Sequence, residues 1–200
     1  MQMTNSIEIG NMQYVPNYAL SFDGVDDYVE IPADSSLILD GDFEIELNIQ
    51  FNDLSRENYF FSAGYNNDNS FLFFYNDILR IIETYNGNKN AIWTDISLNE
   101  HQKYTLKLER ISGTYYFYVN GIEEYSANSP YNVSTDMNDW HIGYALPRDK
   151  TAAYFDGVIY DFSVKNIVNY KIDEGSGTTL TDYAGNNDGN IIGATWQEVE

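Results

Sequence analysis

Nine residues of strict alternation, Phe43-Glu-Ile-Glu-Leu-Asn-Ile-Gln-Phe51, decide the fold class of this chain. Apolar side chains occupy every odd position of the stretch, and polar side chains occupy every even position. Successive side chains of a strand point to opposite faces, so a period of two gives one apolar and one polar face. The stretch therefore predicts a strand with one face in a core and the other in water.

A second region of the same kind lies farther along the chain. Tyr104–Arg110 alternates in the same way, and the apolar run Tyr115–Val119 follows after a short link. Asn120-Gly121 then supplies two residues that tolerate positive φ, as a tight hairpin requires, before Ile122–Tyr125. We expect a β-meander here.

Turn-rich clusters separate further apolar runs along the rest of the chain. These runs predict strands at Tyr59–Ala63, Ser70–Tyr75, Ile78–Thr84, Ala91–Thr94, Trp140–Tyr144 and Val158–Val164. No segment has the pattern of a long amphipathic helix. The expected fold is all-β, a sandwich of two antiparallel sheets.

Composition and charge narrow the function. The 200 residues include no Cys, so disulfides and thiolate metal sites are excluded, and a net charge of −21 repels nucleic acid and anionic membranes. Such a charge fits an uncharged ligand, a basic partner, bound Ca²⁺ or simply a very soluble surface. The opening residues 1–6 have no basic and apolar signal region, and no run of about 18 apolar residues predicts insertion into a membrane.

The run Leu20-Ser-Phe-Asp-Gly-Val-Asp-Asp-Tyr-Val-Glu-Ile-Pro32 resembles the opening signature of laminin-G-like, concanavalin A-like jelly-roll domains. Four later segments resemble motifs of the same family, in the same order. They are Asp42–Phe51, Tyr104–Gly121, His141–Gly143 and Phe155–Ser163. The resemblance implies a concanavalin A-like jelly-roll sandwich.

The resemblance also divides the chain. It implies an N-terminal extension at residues 1–17, the sandwich at 18–166, and a C-terminal segment at 167–200. Within that segment, Tyr170–Trp196 resembles a stretch that precedes the opening signature in many such domains, whereas in this chain it comes last. We expect it to complete the sandwich beside the N-terminal strand, or else to contact a neighbouring subunit.

The sequence does not favour an enzyme. Hydrolases of this fold carry a compact E-x-D-x-x-E strand, and no segment matches it. Retaining hydrolysis needs two carboxylates about 5–5.5 Å apart. Glu44 and Glu46 share one face of a strand, but they are only two positions apart and the strand has an ordinary amphipathic pattern. We therefore expect these side chains to form a solvated face. His101 is expected at the surface and His141 in the core, and neither has a partner that would suggest a nucleophile.

Calcium is the one cofactor that the resemblance suggests. Related sandwiches hold a structural Ca²⁺ between the N-terminal turn and an acidic residue of the last strand, which implies Asp23, Gly24 and Asp161 as ligands. The alternative is that Asp23-Gly24 is only a turn and Asp161 an ordinary outward residue.

Exposed aromatic rings are the candidates for ligand contacts, because they stack on the flat faces of sugars. Aromatic residues beside polar loops are Tyr65, Tyr85, Trp93, Tyr131, Trp140 and Tyr144. Trp93 and Trp140 are the first choices. The alternative for each is packing within a sheet.

Two functions are consistent with these features. The first is a non-catalytic domain that recognises carbohydrate or a protein surface ligand. The second is a structural or decorating protein of a virion, such as a phage tail or capsid accessory, with the sandwich as an interaction module in a homo-oligomer or virion assembly. Both imply an extracellular or virion location, which the fold type favours.

Overall fold

The computed structural model describes residues 17–64, 69–145 and 153–199, and these residues form strands, turns and loops without a helix. The strands, in chain order, are β1 (Asn17–Asp23), β2 (Tyr28–Ile31), β3 (Phe43–Phe51), β4 (Asn58–Ala63), β5 (Ser70–Asn76), β6 (Ile78–Tyr85), β7 (Asn88–Trp93), β8 (Lys103–Ile111), β9 (Thr114–Val119), β10 (Ile122–Asn128), β11 (Trp140–Ile142), β12 (Tyr144–Ala145), β13 (Ala153–Tyr154), β14 (Asp156–Val164), β15 (Val168–Tyr170), β16 (Thr179–Leu180), β17 (Gly189–Ile192) and β18 (Thr195–Val199). None of these residues belongs to a helix long and apolar enough to cross a lipid bilayer.

Two eight-stranded sheets face each other. Sheet A has the order β10-β9-β8-β3-β14-β1-β18, with β15 added to β14, and sheet B has the order β16-β17-β2-β11-β4-β5-β6-β7. The strand pairings among the described residues of both sheets are antiparallel. The predicted antiparallel two-sheet sandwich is therefore confirmed.

The core lies between the sheets, where the alternation predicted it. Along β3 the residues Ile45, Leu47, Ile49 and Phe51 are fully buried, and the polar residues between them are partly exposed. Aromatic rings from sheet B fill much of the space, for example Phe61, which lies 5.3 Å from the ring of Trp140. This packing excludes water from the inner face of each sheet.

Local turn chemistry follows the sequence closely. Asn120 and Gly121 have φ values of 52° and 79°, as the predicted hairpin between β9 and β10 requires. The predicted single strand Trp140–Tyr144 is wrong, because Gly143 adopts a φ of 85° and ends β11 at Ile142. A side chain at position 143 would also clash with the ring of Phe22.

The C-terminal segment packs against the N-terminal strands. β18 pairs with β1, from Asn17–Val199 to Ser21–Thr195. β17 pairs with β2 in the other sheet, so residues after 188 contribute to both layers. Trp196 donates its indole N–H to the carbonyl of Gly177 at 2.9 Å, which fixes the last strand to the preceding loop.

Candidate functional site

The outer face of sheet B carries the candidate site, and the parity of β11 creates it. Trp140 and Ile142 point into the core, so His141 between them points outward. On the neighbouring strand β2, Val29 and Ile31 are buried, and Tyr28 and Glu30 lie on the outer face beside His141. Adjacent strands thus place an imidazole, a phenol and a carboxylate together.

The break at Gly143 adds two more rings. After it, the chain leaves sheet B and forms β12, which pairs with β13 and with no strand of the two large sheets. Tyr144 and Tyr154 are direct partners across this pair. The pair crosses the outer face of sheet B, where Ala145 packs on Tyr59, Leu72 and Phe74.

The rings form a continuous row. The ring centroids of Tyr28 and Tyr144 are 5.2 Å apart, and those of Tyr144 and Tyr154 are 5.0 Å apart, with a tilt of 34° at each step. His141 lies against the row, 5.8 Å from Tyr28 and 5.2 Å from Tyr144. Such close and gently tilted rings make one extended aromatic surface.

These rings line an open depression of about 330 Å³ that we term the outer-face pocket. Its described lining residues are Tyr28, Glu30, Asn138, Asp139, His141, Tyr144 and Tyr154. Its volume lies at the lower end of the range for ligand pockets, which combine aromatic walls with a few polar groups. Aromatic and polar groups therefore converge on one open surface.

The polar groups can exchange hydrogen bonds with hydroxyl groups. His141 Nε2 lies 4.0 Å from a carboxylate oxygen of Glu30, which is too far for a direct hydrogen bond. A ligand hydroxyl can bridge this gap by bonding to both groups. Asp139 is held in place because one of its carboxylate oxygens accepts the backbone N–H of Ala33 at 2.8 Å.

Burial sets the charge of these groups. It lowers the pKa of His141, and the nearby charge of Asp139 offsets this only in part, so the imidazole is neutral at pH 7. Burial also raises the pKa of Tyr28, and the charge of Glu30 adds to this effect. The phenol therefore keeps its proton and can donate it in a hydrogen bond.

Of the two preferred aromatic candidates, Trp140 does not fit the prediction that it contacts a ligand. Its side chain is fully buried against Phe61, so it packs the core and offers no face to a ligand. The prediction chose the right strand and the wrong side of it. Its neighbour His141, expected in the core, is indeed buried, but it lies on the outer face of the sheet, where it lines the pocket.

The other aromatic candidates lie in three separate places. Tyr144 lines the outer-face pocket. Trp93 is 62% exposed at the end of β7 with the guanidinium of Arg80 5.0 Å from its ring centre, about 19 Å and four strands away from β11. Tyr85 and Tyr131 stack on each other at 6.2 Å, and Tyr65 is outside the described residues.

The predicted calcium ligands do not converge. The pairing of β1 with β14 places Asp156 opposite Asp23, so Asp161, five residues farther along β14, lies roughly 15 Å away. Asp161 instead accepts a hydrogen bond from the backbone N–H of Asn48 at 3.1 Å. The carbonyl of Gly24 accepts a hydrogen bond from Arg56. The set Asp23, Gly24 and Asp161 is therefore wrong as a single site.

One of these residues, Asp23, belongs to a cluster of acidic side chains. Carboxylate oxygens of Asp23, Asp26 and Asp27 lie within 4.8 Å of one another in the turn between β1 and β2. Burial raises the pKa of Asp27, and the charges of Asp23 and Asp26 raise it further. Oxygen donors suit Ca²⁺, and the expectation that Asp23 binds calcium stays a prediction.

Only weak sequence signals marked the residues that were missed. Tyr28 stands in the opening signature but looked like ordinary strand packing, and Tyr154 precedes the segment Phe155–Ser163 without any polar cluster around it. The parity of β11 was the usable signal: with Ile142 assigned to the core, Trp140 shares its face and His141 does not.

Comparison with solved structures shows how far this architecture is shared. The chain is similar to a putative carbohydrate binding protein from Bacteroides ovatus, with a TM-score of 0.73 and 14% identity over 94% of this chain and 61% of that one. It is similar to domains LG4-5 of the mouse laminin alpha1 chain, with a TM-score of 0.64 and 14% identity over 84% of this chain and 48% of that one.

A third similar structure is the CBM40 module of Ruminococcus gnavus IT-sialidase, bound to alpha2,3 sialyllactose. Its TM-score is 0.55, with 15% identity over 72% of this chain and 90% of that one. Such low identities show a shared fold and leave the ligand open. The chain spans about three fifths of the length of the Bacteroides ovatus protein.

A search of curated protein sequences finds no match to the chain. A sequence model of one family does match, over residues 23–168, which is well over half of the chain. The match covers most of the opening signature, from Asp23 onward, the strands β2 to β14 and the outer-face pocket. The chain belongs to the concanavalin A-like lectin/glucanases superfamily.

Proposed function

We propose that this domain is a non-catalytic carbohydrate-recognition module that binds saccharides in the outer-face pocket. The observation that carries the proposal is the row of Tyr28, Tyr144 and Tyr154 beside His141 and Glu30. The apolar C–H face of a sugar ring stacks on such a surface, and the polar groups at its side satisfy the hydroxyls.

A comparison with the outer face of sheet A supports the outer-face pocket as the binding site. Tyrosines are present there too, but the chain covers them with its own cations. The ammonium of Lys103 lies 3.6 Å from the ring centre of Tyr160, and that of Lys107 lies 4.1 Å from the ring centre of Tyr118. The described lining of the outer-face pocket contains no lysine or arginine, and its rings border an open depression.

The position of the acidic residues favours binding over hydrolysis. Glu44 and Glu46, the pair considered for catalysis, lie on β3 in sheet A, away from the outer-face pocket. Glu44 is also 3.3 Å from the ammonium of Lys165. The fold similarity to carbohydrate-binding modules supports the same choice. Glycans of this kind lie mainly outside cells, so we propose an extracellular setting.

The test is a glycan array followed by calorimetry, with one matched pair of variants. We expect Tyr144→Ala to weaken binding by at least about tenfold, ~1.4 kcal/mol, because it removes the middle ring of the row. Tyr118→Ala removes the same group from the outer face of sheet A and should leave binding unchanged. Thermal unfolding of both variants checks that each is folded.

Two results would overturn the proposal. If the wild-type domain binds no glycan on the array, the function is wrong. If Tyr144→Ala binds as tightly as Tyr118→Ala, the function stands but the site lies elsewhere, and Trp93 or the pair Tyr85 and Tyr131 becomes the first choice. The virion hypothesis gains no specific support from the pocket and stays a prediction.

A further inference from the structure

We propose that the outer-face pocket accepts uncharged saccharides and rejects those that carry a carboxylate or sulfate. This inference rests on the proposed function and adds the chemical class of the ligand. It begins with the charged groups at the site. The described lining residues include two carboxylates, Glu30 and Asp139, and no lysine or arginine.

Neither carboxylate is neutralised by the imidazole. His141 would pair with Glu30 only in its protonated form, and burial lowers the pKa of His141. At neutral pH the ring can exchange hydrogen bonds with hydroxyls but brings no positive charge to attract an anion. The pocket therefore presents acceptors and rings, with an excess of negative charge.

The surroundings reinforce this charge. Asp26 and Asp27 directly precede Tyr28, and their carboxylates lie with that of Asp23 in one acidic turn. The chain as a whole has a net charge of −21, which lowers the local concentration of any anion.

An anionic sugar would thus enter a site whose described lining has two carboxylates and no lysine or arginine. An uncharged sugar is not repelled by these carboxylates, because its hydroxyls can donate hydrogen bonds to Glu30 and Asp139. The fold neighbour from Ruminococcus gnavus is described in complex with alpha2,3 sialyllactose. By this proposal, the chain differs from that neighbour in the charge of the ligand it accepts, although the two share a fold.

The experiment compares matched glycans that differ in one acidic group. The array carries neutral oligosaccharides, each beside its sialylated or glucuronylated counterpart, with lactose and alpha2,3-sialyllactose as one pair. We expect each bound neutral glycan to exceed its anionic counterpart in affinity by roughly tenfold or more at low salt. The ratio should shrink at high salt because ions screen the repulsion.

Charge-removing variants locate the effect. Glu30→Gln combined with Asp139→Asn keeps the shape of the pocket, and we expect it to bring the neutral-to-anionic affinity ratio close to one. The control is Glu123→Gln with Glu124→Gln, two exposed residues of the edge strand β10 in the other sheet. This control removes the same net charge and should leave the ratio unchanged.

The outcomes separate the inference from the function on which it rests. Equal or tighter binding of the anionic member of each pair would overturn the inference and leave carbohydrate recognition standing. A ratio that falls equally in both double variants would also overturn it, because the net charge and not the pocket would then set the selectivity. Binding to neither class would remove the proposed function, and this inference with it.

Discussion

Trp140 and His141 are consecutive residues of one strand, yet their side chains lie on opposite faces of sheet B. The indole of Trp140 is fully buried between the sheets, whereas the imidazole of His141 lines an open pocket on the outer face of sheet B. Rings from both layers fill the inner face of the sheet, whereas on the outer face Tyr144 of β12 and Tyr154 of β13 line one side of the pocket. Two consecutive residues of one strand therefore have different surroundings, because one packs the core and the next lines the pocket.

The largest effect that tests this comparison is loss of the buried indole. We expect Trp140→Ala to lower the free energy of unfolding by about 3–5 kcal/mol, because it leaves a cavity in the core. Chemical denaturation measures this. Trp140→Phe should cost much less, since the indole N–H is buried without a partner and phenylalanine removes it. A near-neutral Trp140→Ala would contradict the assignment of this residue to the core.

Calcium at the turn before Tyr28 should have the next largest effect. If Asp23, Asp26 and Asp27 bind Ca²⁺, calcium at 100 times its dissociation constant stabilises the domain by about 2.7 kcal/mol, measured as a rise in melting temperature. Asp27→Asn should abolish the response, and Asp161→Asn should keep it. An unchanged melting curve on adding calcium and then EGTA would exclude the ion.

The same variant has a predictable effect without metal. The pKa of Asp27 is raised in the folded protein, so the folded state binds this proton more tightly than the unfolded state does. Ionised Asp27 therefore costs stability at neutral pH, and this cost is lost as the pH falls through the folded pKa towards the ordinary value of 3.8. We expect Asp27→Asn to raise the melting temperature at pH 7 in EGTA, because it removes the buried charge.

His141 should give a smaller effect, with the opposite dependence on pH. Burial lowers its pKa in the folded state, so the unfolded state binds more protons as the pH falls below the ordinary value of 6.5. Stability should fall as the pH drops from 7 to 5, and His141→Gln should lose this part of the fall. His101→Asn is the matched control, because His101 is exposed at a φ of 59°, which asparagine tolerates. Identical pH profiles for wild type and His141→Gln would contradict the argument.

The smallest effect is expected at the exposed tryptophan. Trp93→Ala should change the free energy of unfolding by only about 0.5–1 kcal/mol, the value of an exposed contact between a ring and a guanidinium such as that of Arg80. Binding in the outer-face pocket should not change. A loss of glycan binding on Trp93→Ala would extend the site towards β7 and weaken the contrast between the two regions.

The alternation in Phe43–Phe51 was enough to predict an inward and an outward face, because a period of two is a local property of a strand. The turn Asn120-Gly121 was equally local, since it depends on two backbone conformations. The acidic residues that directly precede Tyr28, Asp26 and Asp27, are also evident from the sequence. These features require no knowledge of what packs against what.

The tertiary structure alone decided which residues meet. Asp161 and Asp23 lie on adjacent strands, but the register of β1 on β14 sets them far apart, and no local pattern encodes that register. Tyr28, Tyr144 and Tyr154 come from three strands and form one row because Gly143 turns the chain out of sheet B. Contacts between distant segments depend on pairing and register, which the whole core determines, so the pocket could not be predicted from any single stretch of the chain.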